Sequence, residues 1–271
     1  SAKLFNSWGA KCLFMSATLP RFLEGLICTS LGKSKMPVIE LNPSQDEDRK
    51  ILEKRRHHVA LKAGTLHESL DNIVSSCQKR SSVLVVCNHV STALDMYQRL
   101  TKDPRLKDLS EEDKLLLHSR FNYRDRAFIE QKLNKASLPC LLQAAQRVEV
   151  SLDVDFACAF IEPAPIDALV QRMGRLNRNG DRPPAPVTVF TEQVHKYNLY
   201  CACKANTPHN SECIIARTLF ELGSLPNPVS ESDLVRAADN VYRGGYQGDD
   251  AEHFEQGLHH QDIAKFKENM L

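Results

Sequence analysis

Apolar and polar positions along this chain alternate between short buried-strand runs and amphipathic helical stretches. Residues 81–88 (SSVLVVCN) are apolar through their centre, the pattern of a strand covered on both faces. Similar runs at 58–62, 114–121, 139–146, 154–162 and 187–190 predict further strands, and 11–15 predicts a short buried one near the start. Between them lie helical patterns. Residues 66–78 place Leu66, Leu70, Ile73, Val74 and Cys77 on one face, and 91–100 do so with Ala93, Leu94, Tyr97 and Leu100. Helices are also expected over 21–29 and 123–134, and from 166 to 173. Strands alternating with helices imply an α/β fold, a parallel sheet with helices on both faces. Beyond about 197 the pattern turns helical and less regular, which predicts a C-terminal helical extension.

The polar, charged run at 42–56 (NPSQDEDRKILEKRR) is the best candidate for a linker. It divides the chain into 1–41, a main unit at 57–196, and the extension at 197–271. A chain of 271 residues that is 42% hydrophobic can fill such a core without disulfide staples. The nine cysteines are scattered and mostly embedded in apolar runs, so reduced thiols and a cytoplasmic location are expected. No apolar run reaches the length of a membrane span, and no membrane role is expected. A net charge of +1 gives no global attraction for nucleic acid, so any such site must be a local patch. The opening residues lack an initiator Met and run quickly into a strand-like pattern, as at the edge of an excised piece.

Candidate chemistry collects at the predicted strand ends. In parallel sheets ligands gather at the carboxyl ends of strands, and Asn88, His118, Ser119, Arg120, Gln146 and Glu162 fall there. The sharpest motif is Gln171-Arg172-Met173-Gly174-Arg175-Leu176-Asn177-Arg178. Its arginines at helical spacing would present guanidinium groups on one face, with a glycine permitting close approach. Guanidinium fits phosphate oxygens bidentately and can stabilise charge developing on a transferring phosphoryl group. A solvated basic helix face would give the same three arginines.

The wider stretch from Gln143 to Gly180 resembles the fifth and sixth motifs of superfamily-two helicases. Its wording at 148–156 (VEVSLDVDF) is similar to that of the CRISPR-associated helicase-nuclease of type I systems. Residues 117–121 (LHSRF) resemble another segment of that family, and 13–20 (LFMSATLP) resemble helicase motif three. The resemblance implies a second RecA-like helicase lobe at 57–196, preceded at 1–41 by the tail of a first lobe. Arg175 and Arg178 would then be arginine fingers, and Gln171 and Arg172 would serve the ATP site, Arg172 chiefly by bracing the helix. Asp153 would accept a hydrogen bond from the ATP ribose. Ser16 and Thr18 would link the nucleotide site to the nucleic-acid track, where His118, Ser119, Arg120, Asn88 and Gln146 would meet single-stranded DNA. A first RecA-like lobe, a nuclease domain and a CRISPR surveillance complex are the implied partners. ATP and Mg²⁺ are the implied cofactors, the metal being held by the first lobe.

Two departures qualify that picture. The family's fifth motif opens with Ala-Thr-Gln, whereas this chain has Ala144-Ala145-Gln146 and lacks one hydroxyl. There is no GxxxxGK[ST] phosphate loop and no counterpart of the family's Mg²⁺-binding Asp-Glu motif or its His-Asp nuclease. The chain alone is therefore expected not to hydrolyse ATP. A non-catalytic binding or docking module, or an unrelated superfamily-two RNA helicase, are the alternative readings. Intact Arg175, Arg178, Asp153 and Gln171 argue against the first, and the 148–156 wording against the second. Cys201, Cys203, His209 and Cys213 have the wrong spacing for a structural zinc site and are expected to be packed thiols with a loop histidine. His57-His58 are expected to be exposed. Ser230, with Asp233 three residues on, predicts a helix N-cap.

Overall fold

The computed structural model describes residues 9, 11, 13–16, 18–79, 81–135, 141–145, 154–201 and 212–258. Seven strands form one sheet: β1 (Arg55–Lys62), β2 (Val83–Cys87), β3 (Lys114–Leu117), β4 (Leu141–Ala145), β5 (Cys158–Ile161), β6 (Ala185–Phe190) and β7 (Val229–Ser230). Their order across the sheet is β3-β4-β2-β5-β6-β1-β7. Every pairing is parallel except that of β7 with β1. The helices are α1 (Arg21–Ser30), α2 (Asp46–Leu52), α3 (Leu70–Gln78), α4 (Val90–Lys102), α5 (Tyr123–Lys135), α6 (Ile166–Met173), α7 (Ile214–Ser224), α8 (Glu231–Val241) and α9 (Gly248–Leu258).

Side chains alternate across a strand, so a central strand feeds two cores at once. In β2, Val83, Val85 and Cys87 join Ile73, Val74 and Cys77 of α3 and Met96 and Leu100 of α4 on one side. Leu84 and Val86 join Ile129 and Leu133 of α5 and Leu169 and Met173 of α6 on the other. This is a RecA-like architecture, and it explains why residues 81–88 carry no polar alternation. On α4 the buried face is Thr92, Ala93, Met96 and Leu100, while Leu94 and Tyr97 are only half-buried. Met96 fills the place that the pattern assigned to its neighbours.

The extension joins the same core. Ile214, Ile215 and Leu222 of α7 and Leu234, Ala238 and Val241 of α8 pack into the cluster around α6. The Asn227 carboxamide pairs with both backbone groups of Val59, accepting from its N–H at 3.0 Å and donating to its carbonyl. It thereby continues the pairing that β7 makes along β1. The expected cap is present: Ser230 and Asp233 form a reciprocal capping box at the start of α8.

Three expectations change. Residues 11–15 form no strand over their described positions, and Leu13 and Met15 are exposed. The described residues there have no ladder partner in the seven-stranded sheet, and an apolar run needs one to become a strand. The 42–56 stretch contains α2 and the first residues of β1. Asp46, Glu47 and Asp48 occupy the first turn of α2 and Arg49 and Lys50 the last, the charge order a helix dipole favours. His57 is buried rather than exposed, its Nε2 donating to the Leu176 carbonyl at 3.1 Å.

Burial, followed by the nearby Arg56 charge, lowers the His57 pKa below its usual value. Burial acts likewise on His67, His89 and His118. Below an unfolded histidine value of about 6.5 the unfolded chain therefore binds more protons than the folded one. Stability is full above that value and falls as the pH drops through it toward the folded pKa. Thermal melting followed from about pH 8 to about pH 5 should show a falling Tm. His57→Asn should flatten that slope, whatever it does to the Tm at the alkaline end. An unchanged slope would remove His57 from the acid response.

Candidate nucleotide and nucleic-acid sites

Parallel strands dictate where each loop must lie. Helix α6 starts after the carboxyl end of β5 and must return the chain to the amino end of β6. Residues 174–184 therefore stand at the amino edge of the sheet, opposite the edge that holds Asn88, His118 and Glu162. The structure thus separates residues that the carboxyl-end rule would gather together.

At the amino edge, α6 ends at Met173, so Arg175 and Arg178 are not on a helix face with Arg172. Gly174 closes the helix, and its Cα lies where an added Cβ would stand 3.3 Å from the Gln171 carbonyl. Leu176 then bridges to Phe156, whose N–H donates to the Arg175 carbonyl at 2.9 Å. Asn177 adopts a positive φ of 45°, a conformation that asparagine tolerates better than most residues. Its buried carboxamide donates to the carbonyls of Arg182 at 3.0 Å and Arg56 at 3.3 Å, and accepts from the Arg182 N–H at 3.2 Å. The turn is therefore held from inside, with the arginines projecting from a fixed frame.

Arg175 is half-buried and Arg178 exposed. The Arg178 N–H donates to Asp155 at 3.2 Å, and its carbonyl accepts from Arg56 at 3.0 Å. Arg182 pairs with Asp155 at 2.7 Å, and Arg56 with Glu231 at 2.6 Å. Four arginines thus crowd this edge. Such a surface suits a polyanionic ligand such as a triphosphate. Sequence reading missed Arg56, Asp155, Asn177 and Arg182. Only Asn177 carried a local signal, an Asn followed by Gly180 just past a helix end. Gln171 is half-exposed on the last turn of α6. Asp153 lies outside the described residues.

Arg172 points the other way. It is fully buried, and in helices side chains lean toward the N-terminus. Its guanidinium donates to the Asn88 carboxamide oxygen at 3.2 Å, the Glu162 carbonyl at 3.4 Å and the Tyr200 hydroxyl at 2.8 Å. These bonds tie Arg172 to the inside of the fold and not to the surface of the turn. Glu162, wholly buried, accepts from the N–H groups of Asn88 at 2.6 Å and Val194 at 2.9 Å. Burial pushes the Glu162 carboxyl up, against those two amides and the Arg172 charge. Asn88 also donates to the Pro163 carbonyl at 2.7 Å. Its side chain is thus spent inside a buried latch formed by Arg172, Asn88 and Glu162, and any part in strand binding falls to positioning the loop.

The carboxyl edge continues at β3. His118 stacks on Phe121 with ring centres 4.2 Å apart, and its Nδ1 accepts from the Arg120 N–H at 3.3 Å. Ser119 and Arg120 are exposed there. β4 ends at Ala145, and Gln146 lies outside the described residues. Ser16 and Thr18 bond chiefly to each other, the Ser16 hydroxyl donating to the Thr18 carbonyl at 2.7 Å. Cys203 and His209 lie outside the described residues. Cys213 is buried and caps α7 by accepting from the Ala216 N–H.

Known proteins share both sequence and fold with this chain. Residues 79–181 match the family model described as CRISPR-associated nuclease/helicase Cas3, C-terminal. A Cas3 relative from Methanocaldococcus jannaschii is 27% identical over 246 residues, covering 85% of this chain and 30% of that protein. The chain spans less than a third of the length of the curated relatives it matches. Among solved structures, T. fusca Cas3-ATP superposes with a TM-score of 0.58 at 21% identity, over 85% of this chain and 27% of that one. A chain from a CRISPR RNA-guided surveillance complex, pre-nicking, superposes with a TM-score of 0.54 at 21% identity, over 78% of this chain and 28% of that one. At those identities the structures speak for the fold alone. Over residues 79–181 this chain is similar to the C-terminal part of CRISPR-associated nuclease/helicase Cas3 proteins.

Proposed function

We propose that this chain is the second motor lobe of an ATP-dependent, single-stranded-DNA translocase that acts in CRISPR interference. One observation carries the reading: the amino-edge turn holds Arg175 and Arg178 in a buried, hydrogen-bonded frame beside Arg56 and Arg182. A decaying docking module would have no physical need to keep that cationic turn rigid. Arg175 and Arg178 would meet the γ-phosphate of ATP held on a first lobe. Gln171 would support the triphosphate end and Asp153 the ribose. Ser119, Arg120, His118 and Gln146 would track DNA phosphates at the other edge, with Ser16 and Thr18 between the two sites. Among the described residues no group of three or more His, Cys, Asp or Glu side chains is arranged so that it could hold a metal ion, and Mg²⁺ in this reading belongs to the first lobe. One structural neighbour comes from a CRISPR RNA-guided surveillance complex and another is a Cas3-ATP structure, which supports that partner and that nucleotide. The same reading implies a cytoplasmic enzyme with a nuclease domain nearby.

The test is complementation. This chain alone should show no ATP turnover, because its fingers face no phosphate loop. Joined to a first lobe that carries one, it should hydrolyse ATP, and single-stranded DNA should stimulate the rate. Robust hydrolysis by the 271 residues alone would overturn the incomplete-motor reading.

A further inference from the structure

Helix α5 presents to solvent a face that the motor reading leaves unused. Ile129 and Leu133 bury one side of it in the core. On the two flanks of its solvent side, Tyr123 is 89% exposed and Phe128 57% exposed. The other exposed aromatics among the described residues, Phe14, Tyr197 and Phe220, lie singly on separate elements. Two large rings left in water on one helix cost solvation, and each is set among cations. Lys132 lies over the Phe128 ring, 5.0 Å from its centre. Arg120 and Arg124 flank Tyr123 and are exposed. Over residues 119–133 four basic residues (Arg120, Arg124, Arg126, Lys132) stand against two acidic ones (Asp125, Glu130). Arg126 and Glu130 neutralise each other at 2.7 Å.

The position of the face matters as much as its composition. β3 ends at Leu117, the exposed Ser119 and Arg120 follow at the carboxyl edge, and α5 begins at Tyr123. Tyr123 and Phe128 are five residues apart, roughly 7.5 Å along the helix axis and about 140° around it, so a strand meeting both would cross the solvent side of the helix. Rings interleaved with cations are the arrangement that binds single strands, the bases stacking and the phosphates pairing. A protein partner would be expected to bury the rings in a depleted-charge core, and this face is rich in charge.

We infer that the outer face of α5 is a base-stacking platform for single-stranded nucleic acid. Tyr123 and Phe128 receive bases there, and Arg124 and Lys132 contact phosphates, extending the path past Ser119 and Arg120. The inference rests on the proposed strand path and lengthens it beyond the strand ends.

Fluorescence anisotropy with a labelled oligo(dT) strand, at several salt concentrations, tests it on the whole chain. Tyr123→Ala combined with Phe128→Ala should weaken binding at least about tenfold. The salt slope should stay unchanged, because no cation is lost. Tyr123→Phe should keep the affinity, and Arg124→Gln should lower the slope by about one phosphate equivalent. Both rings are exposed, so the variant should fold, and circular dichroism checks that it does. Photo-crosslinking of the unaltered chain to an iododeoxyuridine strand supplies a second readout, with adducts expected at Tyr123 or Phe128. Suppose Arg120→Ala flattens the salt slope, yet the double aromatic variant binds like its parent and no adduct forms on α5. This inference then falls, the strand path stands, and the face passes to a protein partner. If the unaltered chain binds no single strand, both fall together.

Discussion

Replacing Arg175 with alanine in the complete motor should lower the rate constant for ATP hydrolysis about a thousandfold, with a far smaller change in nucleotide affinity. The reason is local. The Arg175 N–H bonds to the Arg172 carbonyl at 3.1 Å, and its carbonyl accepts from Phe156, so the backbone that launches the side chain is fixed from both directions. A guanidinium delivered from a fixed point costs little reorganisation as charge develops on the transferring phosphoryl group. Arg175→Lys should recover little, since a point charge cannot replace the planar fork. Single-turnover hydrolysis with separate titration of a fluorescent nucleotide would divide the two effects. A near-normal rate constant in Arg175→Ala would take the residue out of the phosphoryl-transfer role and favour a docking function for the whole turn.

The second large effect concerns folding rather than turnover. Arg172→Met should destabilise the chain by about 3–5 kcal/mol, the usual loss when one partner of a buried charge network is removed. Methionine keeps much of the side-chain volume, so packing contributes little to that figure. What is lost is the cation beside Glu162 and the donors to Asn88 and Tyr200. Glu162 would be left wholly buried with only its two amide donors, and its carboxyl would be driven further up. Glu162→Gln in the Arg172→Met background should then cost less than Glu162→Gln alone, because the two residues act as one unit. Urea unfolding of the four proteins would measure the cycle. A loss below about 1 kcal/mol in Arg172→Met, the ordinary range for an exposed pair, would mean that the latch is not a structural keystone.

Much of this protein could be read from its residues. The unbroken apolar run at 81–88, the helical face at 66–78, the helix at 123–134 and the Ser230 cap all report local physics. Burial on both faces, helical periodicity and a side chain satisfying its own helix end need no distant partner. The sixth-motif arginines were visible for the same reason, as a dense run of one residue type. The buried state of His57 and the latch of Arg172, Asn88 and Glu162 could not be read in this way. Their partners lie 119, 84 and 74 residues away in sequence, and only strand order brings them together. The exposure of residues 11–15 belongs here too, since an apolar pattern becomes a strand only where a neighbour offers a ladder. The deepest gap was directional. Periodicity assigned Arg172, Arg175 and Arg178 to one helix face, but Gly174 and the positive φ of Asn177 end the helix between them. A parallel sheet then sends one arginine back toward the carboxyl edge and leaves the other two at the amino edge. Chemical identity was a property of the sequence. Which edge of the sheet each guanidinium serves was decided by the return of α6 across it.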